Sequence, residues 1–221
     1  MTLLVWLDDD EALDPSLTGA KFATLAGVRR WPLPDRREIP DGAALSTHAW
    51  RRVVEHNGLE ALVDRASAGD DEAARLLSAG LASAELPSEV SDALATAVTR
   101  LTGAGAAGVA VRSSAVAEDL AGRTFAGQHL TRLSVSDVGD AVRAYRDCLA
   151  SAWAEGTRRY RERTADGSPD DPSMAVIVQA MAHAGDGWAG AAVTDGVGGV
   201  TVEVVRGFGD ELMSGRADPL R

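Results

Sequence analysis

The segment Val111-Arg112-Ser113-Ser114-Ala115, with Glu118-Asp119 after it and Phe125-Ala126-Gly127-Gln128 returning about a dozen residues later, carries the residue types that bind phosphate. An arginine offers five donors in a rigid fork that suits phosphate oxygens, serine hydroxyls add short neutral donors, and a glycine such as Gly127 lets backbone N–H groups come close. An apolar run, Ala106 to Val111, reads as a strand whose end presents this group. Arg-Ser-Ser after a strand is also an ordinary solvated turn, and both readings stand at this point.

The second chemical clue is a count. Of the 22 basic residues, Lys21 is the only lysine; the rest are arginine. It lies in Gly19-Ala20-Lys21-Phe22-Ala23-Thr24-Leu25-Ala26, where small residues open a helix after a short strand, Leu3 to Leu7. A compact ammonium is the other usual phosphate ligand, although a lysine on a helix face is by default a solvated one.

The elements that must position these groups form an α+β pattern. Beyond the first strand and a helix near Leu17 to Gly27, an extended stretch runs around Glu38 to Ser46. Thr47 to Glu55, Leu59 to Ser67, Asp71 to Ala84 and Ser88 to Leu101 carry apolar residues at helical spacing and predict a helical cap on the phosphate loop. A long helix is expected over Ser136 to Arg163, with Ser136 and Asp137 at its start and Arg158, Arg159, Arg161 and Arg163 at its end. Thr164 to Ser173 reads as a linker. Met174 to Ala182, Trp188 to Thr194 and Val200 to Val205 then read as three consecutive strands of one small sheet. The chain thus divides into 1–165, with the helical cap at 47–103, and a smaller sheet-containing part, 173–221.

Composition narrows the function classes. A net charge of −11 argues against non-specific binding to nucleic acid or to an anionic membrane, both of which need a clustered basic surface. A phosphate site here has to be locally basic against the global field. Cys148 is the only cysteine, so no intrachain disulfide can form and a reducing, cytoplasmic setting is expected. Its place in a helical pattern suits a small buried hydrophobe. Met1 to Leu7 runs directly into Asp8-Asp9-Asp10 and reads as a strand rather than a signal peptide. No Cys/His zinc pattern, Gly-x-Ser-x-Gly turn or Walker-type Gly-Lys-Ser/Thr occurs in the sequence.

Taken in order, five segments resemble the N-terminal nucleotide-binding region shared by phosphoenolpyruvate synthase, pyruvate phosphate dikinase and rifampin phosphotransferase. They are Gly19-Ala20-Lys21 with Leu25; Ile39-Pro40-Asp41-Gly42 with Leu45-Ser46-Thr47; Arg112-Ser113-Ser114-Ala115 with Glu118-Asp119 and Phe125-Ala126-Gly127-Gln128; Val176 to Met181 followed by Ala189 to Thr194; and Gly207-Phe208-Gly209-Asp210-Glu211-Leu212 with Gly215. The resemblance implies an ATP-grasp-like architecture, incomplete here, with an N-terminal subdomain bearing a helical insertion and a small antiparallel-sheet subdomain. It implies that Lys21 and Arg112 contact the ATP phosphates and act in catalysis, with Ser113 beside them. Gly127 and Thr131 would lie along the nucleotide, and Gln179, Met181 and the backbone around them would edge the adenine. Gln179 has an equally simple reading as a polar residue closing the end of a buried strand, and Thr131 as an ordinary strand residue. His48 falls inside the second matching segment and reads as structural.

In the family, the glutamate and the Gln-x-Arg group that bind metal and phosphate come beyond Arg221. The resemblance therefore implies ATP and Mg²⁺ as cofactors, with the metal ligands mostly outside this chain. It further implies an ATP-binding component of a split phosphotransferase, completed by a partner protein that would also supply any phosphohistidine domain. The alternative is a non-catalytic ATP-grasp-like module that pairs with another protein.

Overall fold

The computed structural model describes residues 1–32, 39–116, 130–154, 173–182, 187–194, 196–207, 209, 212 and 215–220. Gly127, Glu118 and Asp119, the arginine cluster 158–163, the linker 164–172, Asp210 and Glu211 lie outside them. The described chain divides into two compact units, Met1–Met181 and Ala182–Arg221.

The first unit is built on a five-stranded sheet in the order β1-β2-β5-β3-β4, in which every neighbouring pair is antiparallel. The strands are β1 (Leu4–Trp6), β2 (Gly42–Leu45), β3 (Val109–Ala115), β4 (Thr131–Val135) and β5 (Met174–Ala180). Strand β5 sits at the centre, and its composition suits that place. Its residues from Met174 to Gln179 are all buried, and a near-continuous apolar strand needs cover on both faces. It pairs Ile177 with Ala44 on one side and with Arg112 on the other. This corrects the expectation that β5 joins the two strands after it in one small sheet.

The two faces are covered by different layers. Ala43, Leu45, Val109, Val111, Val176 and Val178 point into the larger core, which is filled by α2 (Thr47–His56), α3 (Glu60–Ser67), α4 (Asp71–Ala82), α5 (Ser88–Gly103) and α6 (Val138–Ser151). The opposite face presents Ala44 and Ile177 to a smaller core with Val5, Leu7, Ala12, Phe22 and Ala26. It is covered by a 3-10 turn, Asp10–Leu13, and α1 (Pro15–Arg29). The helices of 47–103 form as the periodicity predicts, but their buried sides are devoted to the larger core, away from the face that carries Ile177 and its partner Arg112.

Local signals fix where the helices begin. Asp14, Ser46, Asp70 and Asp137 stand in extended backbone just before α1, α2, α4 and α6, and each side chain accepts a hydrogen bond from a first-turn N–H. Proline at the start of α1 adds a residue already set for helical φ. Strand β4 contains an extra residue. Val109 pairs with Val135 but Val111 with Arg132, and Ser134 takes φ 57° to accommodate the bulge.

The second unit is a hairpin of β6 (Trp188–Thr194) and β7 (Val200–Arg206), paired from Trp188↔Arg206 to Thr194↔Val200. Leu220 exchanges two 3.0 Å backbone hydrogen bonds with Val204. Trp188, Ala192, Val200 and Val202 share one face and are exposed.

Leu149 is fully buried in the larger core, between the sheet and the helices. Leu149→Ala is expected to cost roughly 2–5 kcal/mol, the range for emptying a packed leucine site. Urea unfolding followed by circular dichroism measures it.

Candidate functional site

The site begins with a break in a helix. Gly19 lies inside α1 yet has φ 76° and ψ 156°, so the helix stops and restarts there. A left-handed backbone is one reason for glycine at this position. Contact is the other: a Cβ on Gly19 would overlap both the carbonyl oxygen and the hydroxyl of Ser114 on β3. The chain therefore places the restart of α1 directly against β3.

Two hydrogen bonds follow from that approach. Phe22 N–H, in the first turn after Gly19, donates to Ser114 Oγ at 3.2 Å. First-turn N–H groups have no intrahelical acceptor, and Gly19 has no side chain to act as a cap, so a strand hydroxyl takes that part. Lys21 Nζ donates to the carbonyl of Ser113 at 3.1 Å. The lone lysine is thereby brought to the Ser113–Ser114 peptide, one residue beyond Arg112.

Arg112 itself lies within β3, opposite Ile177 on β5 and Thr131 on β4. The strand extends through Ala115, so Arg-Ser-Ser is not a turn, nor the loop after a strand. The ladder to Met174, Ala175 and Val176 carries the serines into the sheet. Residues opposite one another on antiparallel strands share a face. Arg112 therefore shares its face with Ile177, Ser114 and the exposed Thr131, on the side covered by α1. Its Nε is buried with no hydrogen-bond partner among the described residues.

Ser113 faces the other way. Its hydroxyl is fully buried on the side of Val111 and Val176 and has no hydrogen-bond partner among the described residues. What this residue offers Lys21 is its carbonyl. Gln179 lies on the same face as Arg112, two strand positions from Ile177, but it is 8% exposed and its amide nitrogen donates to the Pro40 carbonyl at 3.1 Å. It closes the end of β5 beside Gly42, its pairing partner. Met181 follows β5, half-buried, with its N–H donating to the Gly108 carbonyl at 3.0 Å. The structure thus gathers Lys21, Arg112 and Thr131, holds Gln179 and Met181 at the end of the central strand, and turns the Ser113 hydroxyl away. Ser114 was missed as an individual residue. Its signal was indirect, a helix opening on glycine with no capping side chain of its own.

On the far face Cys148 is buried beneath β3, its Sγ 3.8 Å from the Val111 carbonyl and 3.7 Å from that of Leu130. Burial pushes its thiol up to about 12, with Asp147 adding to the rise. Tyr145, also fully buried, is raised by the same desolvation. Among the described residues no group of three or more His, Cys, Asp or Glu could hold a metal ion. No helix among them is long and apolar enough to cross a membrane.

Fold and site together define an α+β domain that assembles two cations on one face of an antiparallel sheet, beside a helix that restarts on glycine. Residues 15–220 match the family model of the pyruvate phosphate dikinase AMP/ATP-binding domain, and the chain belongs to that family. It is 35% identical over 98% of its length to a rifampicin phosphotransferase from a Streptomyces species, of which it covers 26%. It is 31% identical over 97% of its length to the prodigiosin synthesizing transferase PigC of Serratia marcescens, of which it covers 23%. With a probable phosphoenolpyruvate synthase of Methanocaldococcus jannaschii the identity is 26% over 99% of the chain and 19% of the relative. The chain spans about a quarter of the length of these relatives.

Two outcomes follow from the geometry. Ser113→Ala removes a buried hydroxyl that makes no hydrogen bond among the described residues but leaves the carbonyl that meets Lys21. It is expected to stabilise the fold by about 1 kcal/mol, read from the urea midpoint, and to leave nucleotide affinity within about twofold. The Cys148 thiol is neutral in the fold and free to ionise once unfolded, so its contribution is complete below the ordinary thiol value of 9.0 and is lost as pH rises towards about 12. Stability measured across that window is expected to fall, and to fall less steeply in Cys148→Ala.

Proposed function

We propose that this chain is the ATP-binding part of a phosphotransferase of the phosphoenolpyruvate-synthase type, with an ATP-grasp-like arrangement, and that Lys21 and Arg112 hold the ATP phosphates. The observation that carries this reading is the meeting of the chain's one lysine with the β3 carbonyl of Ser113, the residue after Arg112, at the start of a helix. Cationic forks, an ammonium and a helix N-terminus are the three elements proteins use to bind phosphate, and here they share one face. Arg112 Nε, buried without a partner among the described residues, is the kind of donor that an anionic oxygen satisfies.

The two cations have an electrostatic and orienting role. They neutralise charge on the transferred phosphoryl group and on the leaving nucleotide, without forming a covalent bond themselves. Thr131, exposed on the edge strand opposite Arg112, lies within the same surface. Mg²⁺, when bound with ATP, would screen the phosphate charge; its carboxylate ligands are assigned to residues outside this chain, as is any phosphohistidine carrier. A larger polypeptide or a partner protein would supply them.

Calorimetric titration of ATP with Mg²⁺ into the chain tests the reading. Lys21→Ala and Arg112→Ala are each expected to weaken binding by roughly 10- to 100-fold, the effect of losing one charge-assisted hydrogen bond. AMP affinity should fall less than ATP affinity in both. Absence of ATP binding in the wild type, alone and with any protein that co-purifies with it, would leave a non-catalytic interaction module on this fold.

A further inference from the structure

We propose that Ser114 is a positioning residue for Lys21: its hydroxyl caps the restarted helix α1 from the neighbouring strand and thereby holds the lysine ammonium beside Arg112. In its consequence for ATP this rests on the phosphate reading above, but the geometry does not. Ser114 is fully buried in β3, and its Oγ accepts from Phe22 N–H at 3.2 Å. Lys21 is the residue immediately before Phe22, and Ser113, whose carbonyl receives its ammonium at 3.1 Å, is the residue immediately before Ser114. Two adjacent residues of α1 are thus bonded to two adjacent residues of β3, in the same order.

Gly19 completes the interlock. Its φ of 76° turns the chain so that α1 restarts against β3, and its lack of a Cβ allows the contact with Ser114. A flexible four-carbon side chain reaches many places from a helix, and the position of its ammonium is set only as well as its backbone is. The Phe22–Ser114 bond fixes that backbone one residue away. Ser114 touches no phosphate in this scheme. It acts through Lys21.

The single lysine allows a direct test without nucleotide. The rate at which a dilute N-hydroxysuccinimide ester acylates Lys21, read by peptide mass spectrometry so that the Met1 amine is counted separately, reports how firmly the ammonium is held. Ser114→Ala, its fold checked by circular dichroism, is expected to be acylated roughly two- to tenfold faster, the range that loss of one neutral hydrogen bond spans. Thr24→Ala is the control. Thr24 lies on the same helix but donates only to the Ala20 carbonyl of that helix, and its loss is expected to leave the rate unchanged. An unchanged rate in Ser114→Ala, or equal acceleration in Thr24→Ala, overturns the proposal. Hydrogen exchange on the wild-type chain provides a measurement that needs no variant: the Phe22 amide is expected to be protected, and exchange at the rate of an open amide also overturns it.

ATP affinity then separates the two readings. Ser114→Ala should weaken ATP binding by a factor similar to the acylation change and have no further effect in a Lys21→Ala background; an equal loss in that background overturns the positioning role. If ATP fails to slow acylation of wild-type Lys21 while Ser114→Ala still speeds it, the nucleotide reading fails and the interlock stands.

Discussion

The closeness of α1 to β3 at Gly19 is the constraint from which the arrangement on this face of the sheet follows. A helix normally stands off the sheet it covers, at a distance set by the interleaved side chains between them. Here one turn comes into backbone contact, because Gly19 has neither a Cβ nor a helical φ. Moving the turn outward by the width of a methyl group would stretch the Phe22 and Lys21 bonds together. Lys21 would then be one more solvated lysine, and Arg112 a cation on a sheet with no neighbour of its own kind fixed beside it.

That contact is possible only because the sheet beneath it is rigid. Strand β5 is apolar on both faces and bonded on both edges, so β3 is held by a ladder that runs from Val109↔Ala180 to Ala115↔Met174 without a register shift. The irregularity is placed on the other side of β3, where β4 takes a bulge at Ser134 near the sheet edge. Placing Arg-Ser-Ser in the second strand of such a sheet is costly. A buried polar atom without a partner loses about 1–3 kcal/mol, and among the described residues both Arg112 Nε and Ser113 Oγ are in that position. For Ser113 nothing among the described residues offsets this, whereas Arg112 lies on the face that Lys21 approaches, where the proposed anion would meet its donor.

How far the sequence was legible depended on whether the signal was local. Helices α2 to α5 were read within a few residues, because 3.6-residue periodicity and capping side chains are properties of a short window. The strand after Ala106 was recognised but ended too early. Its serines look like turn residues, and only pairing with a distant apolar strand keeps them extended. The grouping of β5 with β6 and β7 failed for the same reason, since sequence order is a weak guide to which sheet a central strand joins. At the site, residue type brings Lys21 and Arg112 forward as candidate phosphate ligands. It could not show that Ser113 turns its hydroxyl away, that the Gln179 amide binds Pro40, or that Ser114 caps a helix 92 residues away, all of which depend on strand alternation and long-range contact.

The arginine bias of the chain makes the exception at position 21 informative. Arginine replaces lysine easily on a surface, where only charge matters, and 21 of the 22 basic residues are arginine. At position 21 the side chain has to leave the first turn of a helix, pass a close backbone contact and reach the Ser113 carbonyl at 3.1 Å. A compact ammonium does this with one of three donors and can turn the others elsewhere. A planar guanidinium needs a wider opening and wants two acceptors in its own plane. The geometry that excludes a side chain from Gly19 therefore also favours the smaller cation at Lys21, while Arg112 stands within a strand, opposite Thr131 and away from that close contact.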